Sequence, residues 1–171
     1  TRGWSDWVEP LERWLLALIS KPLSLDRAGT ERVSLANLTT LRPELEFWFE
    51  SRNVRVRKLD QLVTAHTLNG ADRPRVEETR FNGMLKAMGD AILDKRYDLQ
   101  YVLYLLALHR LLKARLPDYD YDQHIGGAVY LFLRGVESPG GGAFSDKPPR
   151  TLIEQLDALF DGESVSGEVA A

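Results

Sequence analysis

The chain has 171 residues, 44% hydrophobic and 27% charged, enough to bury the core of one domain and ordinary for a soluble globular protein. A formal charge of −3 excludes a global basic field, although a local groove can still be basic. With no cysteine there are no disulfides, thiolate zinc sites or cysteine nucleophiles, which fits a reducing, cytoplasmic setting. The longest purely apolar run, Tyr101 to Leu108, is far too short to span a membrane. The opening "TRGWSDWVEP" lacks a signal-peptide layout and an initiator Met, so the sequence reads as a piece of a longer chain.

Trp4, Trp7, Leu11, Trp14, Leu15 and Leu18 recur at three- and four-residue steps, which predicts an amphipathic helix over 4–19 with its tryptophans as core anchors. "SKPLSLDRAGTERVSL" is a polar connector broken by Pro22 and Gly29. "PELEFWFES" alternates, with Leu45, Phe47 and Phe49 on one face, as a half-exposed strand does. Residues 54–68 read either way: "VRVR" alternates like a strand, whereas Leu59, Leu62 and Val63 fall at helical steps. "NGADRPR" is a loop, and "RFNGMLK" reads as a short strand or turn. Ala87 to Leu116 is helical, as two helices meeting near Tyr97. "PDYDYDQH" is a turn-rich connector. "IGGAVYLFLRG" predicts a strand buried on both faces, with Gly126 and Gly127 at a bulge or close backbone approach. "ESPGGGAFSDKPP" is a loop, residues 150–161 form a closing helix, and 163–171 form a disordered tail. Interleaved strands and helices favour a layered α/β domain over 1–162.

Few residues offer chemistry. His66, His109 and His124 have no metal-ligand spacing, and there is neither a P-loop nor a nucleophile elbow. Asp90, Asp94 and Asp98 step by four, as a solvated face would. The alternative is that they share divalent ions, two of which ~4 Å apart would support phosphodiester hydrolysis. Two basic groups, Arg52, Arg55, Arg57 and Lys58, then Arg110, Lys113 and Arg115, are solvated faces or phosphate-tracking ones. Gln100 and Tyr104 project from one side of a greasy helix, one turn apart. Such a pair either caps neighbouring backbone or, beside a metal, orients a phosphate or a metal ligand.

"RYDLQYVLYLLALHRLL" followed by "DYDYDQHIGGAVYLFLRGV" closely resembles the RecB family, the C-terminal nuclease domain of exodeoxyribonuclease V beta subunits. Gln100 and Tyr104 match that family's Q-x-x-x-Y motif. "PELEFWF" is similar to the strand ahead of its active site, and "FNGMLK" to the approach to its catalytic hairpin. The resemblance, from about Trp4 to about Gly162, implies a restriction-endonuclease-like α/β core of PD-(D/E)XK type, a central mixed sheet flanked by helices. It also implies Mg²⁺-dependent cleavage of single DNA strands, in an ATP-dependent helicase–nuclease acting on DNA ends in recombinational repair. Its implied partners are DNA, the RecC and RecD subunits and the RecA recombinase, and Gln100 and Tyr104 would border the catalytic site.

The sequence departs from that pattern where the metal ligands belong. After Lys86 the family continues through a Gly-x-x-Asp strand, a turn and an Asp-Tyr-Lys strand, whereas here "AMGDAILDKR" comes at once. Two paired strands of ~5–6 residues with their connections need well over a dozen residues. The family's His-bearing helix would lie before Thr1. An alternative takes "KAMGD" as the Gly-x-x-Asp strand, with Asp94 and Lys95 as Asp-x-Lys, but it leaves no room for a second strand. The expectation is therefore a nuclease domain with no metal ligands of its own and no cleavage by this chain. The other expectation is an interaction module that contacts RecC and helps to load RecA, through the exposed side of residues 4–19 or the basic end Arg110 to Arg115.

Overall fold

A computed structural model describes residues 3, 5–24, 32–42, 46, 56–71, 80–135 and 142–162. They belong to two compact units. One comprises Glu46–Ala128 with Lys147–Ala171, and the other Thr1–Leu45 with Val129–Asp146. "PELEFWFES", apart from the exposed Glu46, and the tail at 163–171 lie outside the described residues.

The first unit is built on helices α2 (Val56–Ala71), α3 (Arg80–Asp94), α4 (Tyr97–Arg115), α5 (Tyr121–His124) and α6 (Arg150–Phe160). Leu- and Ala-rich, free of Gly and Pro, the α4 sequence favours helix at almost every position. Asp98 in its first turn, with Lys113 and Arg115 in its last, complements the helix dipole. Beyond its end stands Pro117, and the Leu116 N–H closes the final turn on the Leu112 carbonyl at 2.8 Å. Apolar on several sides, α4 becomes the hub, packing on α2, α3 and α6, while α2 also meets α6. Val102 and Leu106 of α4, Val63 of α2, Ile92 of α3, and Ile153 and Leu156 of α6 are fully buried. Each such side chain contributes about 1.5–3 kcal/mol by leaving water.

Residues 54–68 thus resolve as the helix from Val56 onward, and the helical pair expected between Ala87 and Leu116 is present, as is the closing helix. "RFNGMLK" does not form a strand. It is the first half of α3, which runs unbroken through Lys86 and Ala87. The connector "PDYDYDQH" contains α5, where Asp120 Oδ1 accepts from the backbone N–H groups of Asp122 and Gln123 at 3.0 and 3.1 Å, a side-chain N-cap. The buried Tyr121 hydroxyl donates to the Pro148 carbonyl at 2.8 Å, tying α5 to the segment that leads into α6.

The other unit contains α1 (Ser5–Ser20), β1 (Leu23–Ser24), β2 (Arg32–Val33), a short 3-10 turn at Leu35–Asn37, β3 (Ala128–Leu131) and β4 (Ala143–Asp146). β1 and β2 are antiparallel, with Leu23 opposite Val33, and β3 pairs with β4. The described strands therefore make two two-stranded pairs instead of one central mixed sheet. The residues expected to be buried on both faces give a four-residue strand, β3, whose Val129 is exposed. Gly127 has φ 120°, whereas no atom would meet a Cβ added at Gly126. Gly142 has φ 65°, and its ideal Cβ would lie 2.5 Å from the Phe132 carbonyl oxygen, so only glycine fits. There the Phe132 N–H donates to the Gly142 carbonyl at 2.8 Å.

The α1 helix forms as its spacing predicts, but Trp7 and Trp14 are not core anchors, and Trp4 lies outside the described residues. Trp7 is 54% exposed and Trp14 half-buried, Val8, Leu11, Leu15 and Leu16 are also exposed, and Leu18 is the buried residue of the helix. Periodicity identifies an apolar side; it does not supply a partner for it. No described helix is long and apolar enough to cross a membrane.

Candidate functional site

The buried positions of α4 leave a different strip facing outward: Gln100 is exposed and Tyr104 is 51% exposed, one turn further on. Both belong to the half of α4 that lies next to the corner with α3. An amide and a phenol displayed in this way can donate to and accept from one ligand running along the helix.

That corner is held by Arg96. Its backbone is left-handed (φ 56°, ψ 33°), between the end of α3 and the start of α4. Its Nε donates to Asp98 Oδ1 at 3.2 Å and its terminal nitrogen to Asp60 Oδ1 of α2 at 2.6 Å. The Asp98 side chain is 1% exposed, so it does not continue the face of Asp90 and Asp94, which are exposed on α3. The three-carboxylate face expected at steps of four is broken by the corner, because the periodicity does not carry through Lys95 and Arg96. Asp94 instead lies 3.5 Å from Lys95 Nζ.

No group of three or more His, Asp or Glu side chains converges as a metal-binding set among the described residues. A Mg²⁺ ion needs near-octahedral oxygen ligation. Two exposed carboxylates on one helix, with a third turned into the core against an arginine, do not fit it.

The two basic groups separate. In the first, Arg57 is exposed and Lys58 half-buried at the start of α2, whereas Arg52 and Arg55 lie outside the described residues. In the second, Arg110 faces carboxylates. Its Nε meets Asp157 Oδ1, and its terminal nitrogen donates to the Asp157 carbonyl at 2.9 Å and to Asp161 Oδ1 at 2.8 Å. Lys113 Nζ stands 3.4 Å from Asp157 Oδ2. The expected basic run Arg110 to Arg115 is thus largely an internal clamp between α4 and α6, and Arg115 alone of the three is left outside it. The partners are 47 residues apart, so no local pattern announces the clamp.

Beside it lies a second feature that spacing does not reveal. His109 is buried; its Nδ1 is 2.9 Å from the Tyr119 hydroxyl and its ring is edge-on to Tyr119 and Tyr121. Its Nε2 is buried without a hydrogen bond, 3.9 Å from Asp157 Oδ2. The expected satisfied core histidine is therefore satisfied at one nitrogen. Burial pushes its pKa below the ordinary 6.5 against the opposing pull of Asp157, and burial raises that of Tyr119. His66 is half-buried on α2 and His124 exposed on α5, so the three histidines do not form one site.

No protein-family model matches the chain. RecB subunits of the RecBCD enzyme do, over about nine-tenths of it. The Escherichia coli K12 protein is 33% identical over 92% of this chain, and that of Haemophilus influenzae 30% identical over 90%. A Buchnera aphidicola protein, from the subspecies Acyrthosiphon pisum, is 25% identical over 90%. The chain is homologous to a segment of RecB. It spans 16%, 15% and 16% of those three relatives. The E. coli alignment runs to 194 positions, yet 92% of 171 residues is about 157, so RecB carries roughly 37 positions there that this chain lacks. The H. influenzae RecB alignment, 187 positions over 90% of the chain or about 154 residues, leaves roughly 33.

Proposed function

We propose that the chain is the nuclease domain of a RecB-type subunit, over residues 1–162, from which the metal-holding strands between Lys86 and Ala87 are missing. The carrying observation is the RecB homology together with the roughly 33–37 RecB positions that have no counterpart here. That number accommodates the two strands, the turn and the connections that the family pattern places after Lys86. In this reading the parent is a cytoplasmic, ATP-dependent helicase–nuclease. It works with RecC and RecD and hydrolyses phosphodiester bonds at DNA ends with Mg²⁺, on a PD-(D/E)XK core completed by the missing strands. Gln100 and Tyr104 are the retained wall of the site, and Arg57 and Lys58, with Arg52 and Arg55, track the backbone of a single strand.

In this reading the missing strands carry the metal ligands, so the chain binds DNA without cutting it. The test is a labelled single strand incubated with Mg²⁺ and the purified protein. We expect no cleavage by this sequence, and cleavage once the corresponding RecB segment is restored between Lys86 and Ala87. Robust cutting by the chain itself that disappears in Asp90→Ala would overturn this reading.

A second reading is favoured by one observation, the exposed Trp7, Leu11 and Leu15 on α1. Clustered apolar side chains facing water mark protein-binding surfaces. In this reading α1 contacts RecC and helps to load RecA. Capture of purified RecC or RecA by the wild type, lost in Trp7→Glu, supports it; equal capture by both removes α1 from that role.

A further inference from the structure

We propose that Arg96 is a positioning residue that locks the Gln100–Tyr104 face of α4 to the basic first turn of α2, making them one surface for a single DNA strand. The inference rests on the DNA-binding reading above and adds the residue on which that surface depends.

Among the described residues Arg96 is the one non-glycine with positive φ. Such a backbone is steeply disfavoured for a residue with a Cβ and persists only where its surroundings hold it. Glycine would adopt this corner freely, so the side chain must supply what glycine cannot. The guanidinium does so by serving two carboxylates with separate nitrogens, Asp98 in the first turn of α4 and Asp60 on α2. The Asp98 carboxylate is buried, and removing a partner from a buried carboxylate is costly. Asp60 is half-exposed and carries no such cost; its pairing gives the corner a second attachment, on another helix.

The juxtaposition comes from helical spacing. Arg57 lies three residues before Asp60 and so shares its side of α2. Gln100 lies four residues beyond Arg96, and its N–H donates to the Arg96 carbonyl at 3.4 Å. The 2.6 Å contact between Arg96 and Asp60 therefore brings a cation one turn along α2 and an amide one turn along α4 to the two sides of one ion pair. A phosphate backbone running from Arg57 to Gln100 and Tyr104 would cross above it.

The test pairs amide chemical shifts with affinity for a fluorescein-labelled oligothymidylate, using Asp60→Asn, Arg96→Gly and Arg96→Lys. Asp60→Asn removes the α2 attachment alone. It should displace the Gln100 and Tyr104 signals and weaken binding several-fold, with a thermal midpoint within about 2 °C of wild type, because an exposed pair adds little stability. Arg96→Gly keeps the left-handed corner and discards the guanidinium, so it should bind less tightly still; Arg96→Lys should recover part of the loss. Wild-type binding by Arg96→Gly, or unmoved Gln100 and Tyr104 signals in both Asp60→Asn and Arg96→Gly, overturns the positioning role. A wild-type chain that does not bind the oligonucleotide overturns the DNA-binding reading, and the proposal with it.

Discussion

The helices around α4 and the helix α1 have similar apolar content and opposite fates. In the first, aliphatic side chains from four helices reach complete burial. In α1, Leu18 is buried while a tryptophan, a valine and several leucines face water. Apolar periodicity is common to both, so what distinguishes them is the number of neighbours that fold against them. α4 touches three other helices, whereas α1 packs on a short 3-10 turn. Hydrophobic patterning is a demand for a partner, and only the helical unit meets that demand among the described residues.

The sharpest way to break this contrast is truncation. Leu106→Ala or Ile153→Ala should cost about 2–5 kcal/mol through lost transfer energy and a cavity, against about 0.5 kcal/mol or less for Leu15→Ala. Urea denaturation measures both. Equal losses would mean that the outer face of α1 is covered in solution. Within the smaller unit the rigid point is backbone, not core. Gly142→Ala should cost about 1–3 kcal/mol, because the new Cβ meets the Phe132 carbonyl at 2.5 Å in a left-handed conformation. Gly126→Ala in the helical unit, with open space around it, is the control for the glycine-to-alanine change itself.

The smallest effect concerns pH in the helical unit. Burial lowers the folded-state pKa of His109 below the unfolded value of 6.5, so the unfolded chain takes up the proton first. Its contribution to stability is complete above 6.5 and is lost as the pH falls from there through the lower folded value. The wild type should therefore lose more stability than His109→Gln on acidification from about pH 7.5 to about 5, in denaturation curves run side by side. Parallel losses in the two proteins would show that His109 titrates alike folded and unfolded.

Much of the fold is legible in the sequence, and the gaps have physical causes. α6 can be read because its apolar residues repeat at helical steps after Pro149, and α4 because a long Leu-rich run free of Gly and Pro ends before Pro117. "FNGMLK" misleads because its likeness to the approach to a family hairpin competes with the helix-forming residues on its C-terminal side. Joined directly to "AMGDAILDK", with no turn signal between, it is taken up as the helix propagates back through it. Of the candidate site, the exposure of Gln100 and Tyr104 is set by the buried positions that flank them. The removal of Asp98 from its supposed carboxylate row is not legible, because it hangs on a left-handed residue that no periodicity foretells. The Arg110–Asp157 clamp is hidden for a simpler reason: ion pairs between distant helices leave no local trace.

The continuity of α3 carries one more consequence. Lys86 and Ala87 are consecutive helical residues, so their Cα atoms stand about 3.8 Å apart. A segment inserted at that peptide, as the proposed parent requires, breaks α3 there, so the helical course of Arg80–Lys86 belongs to the chain as it stands.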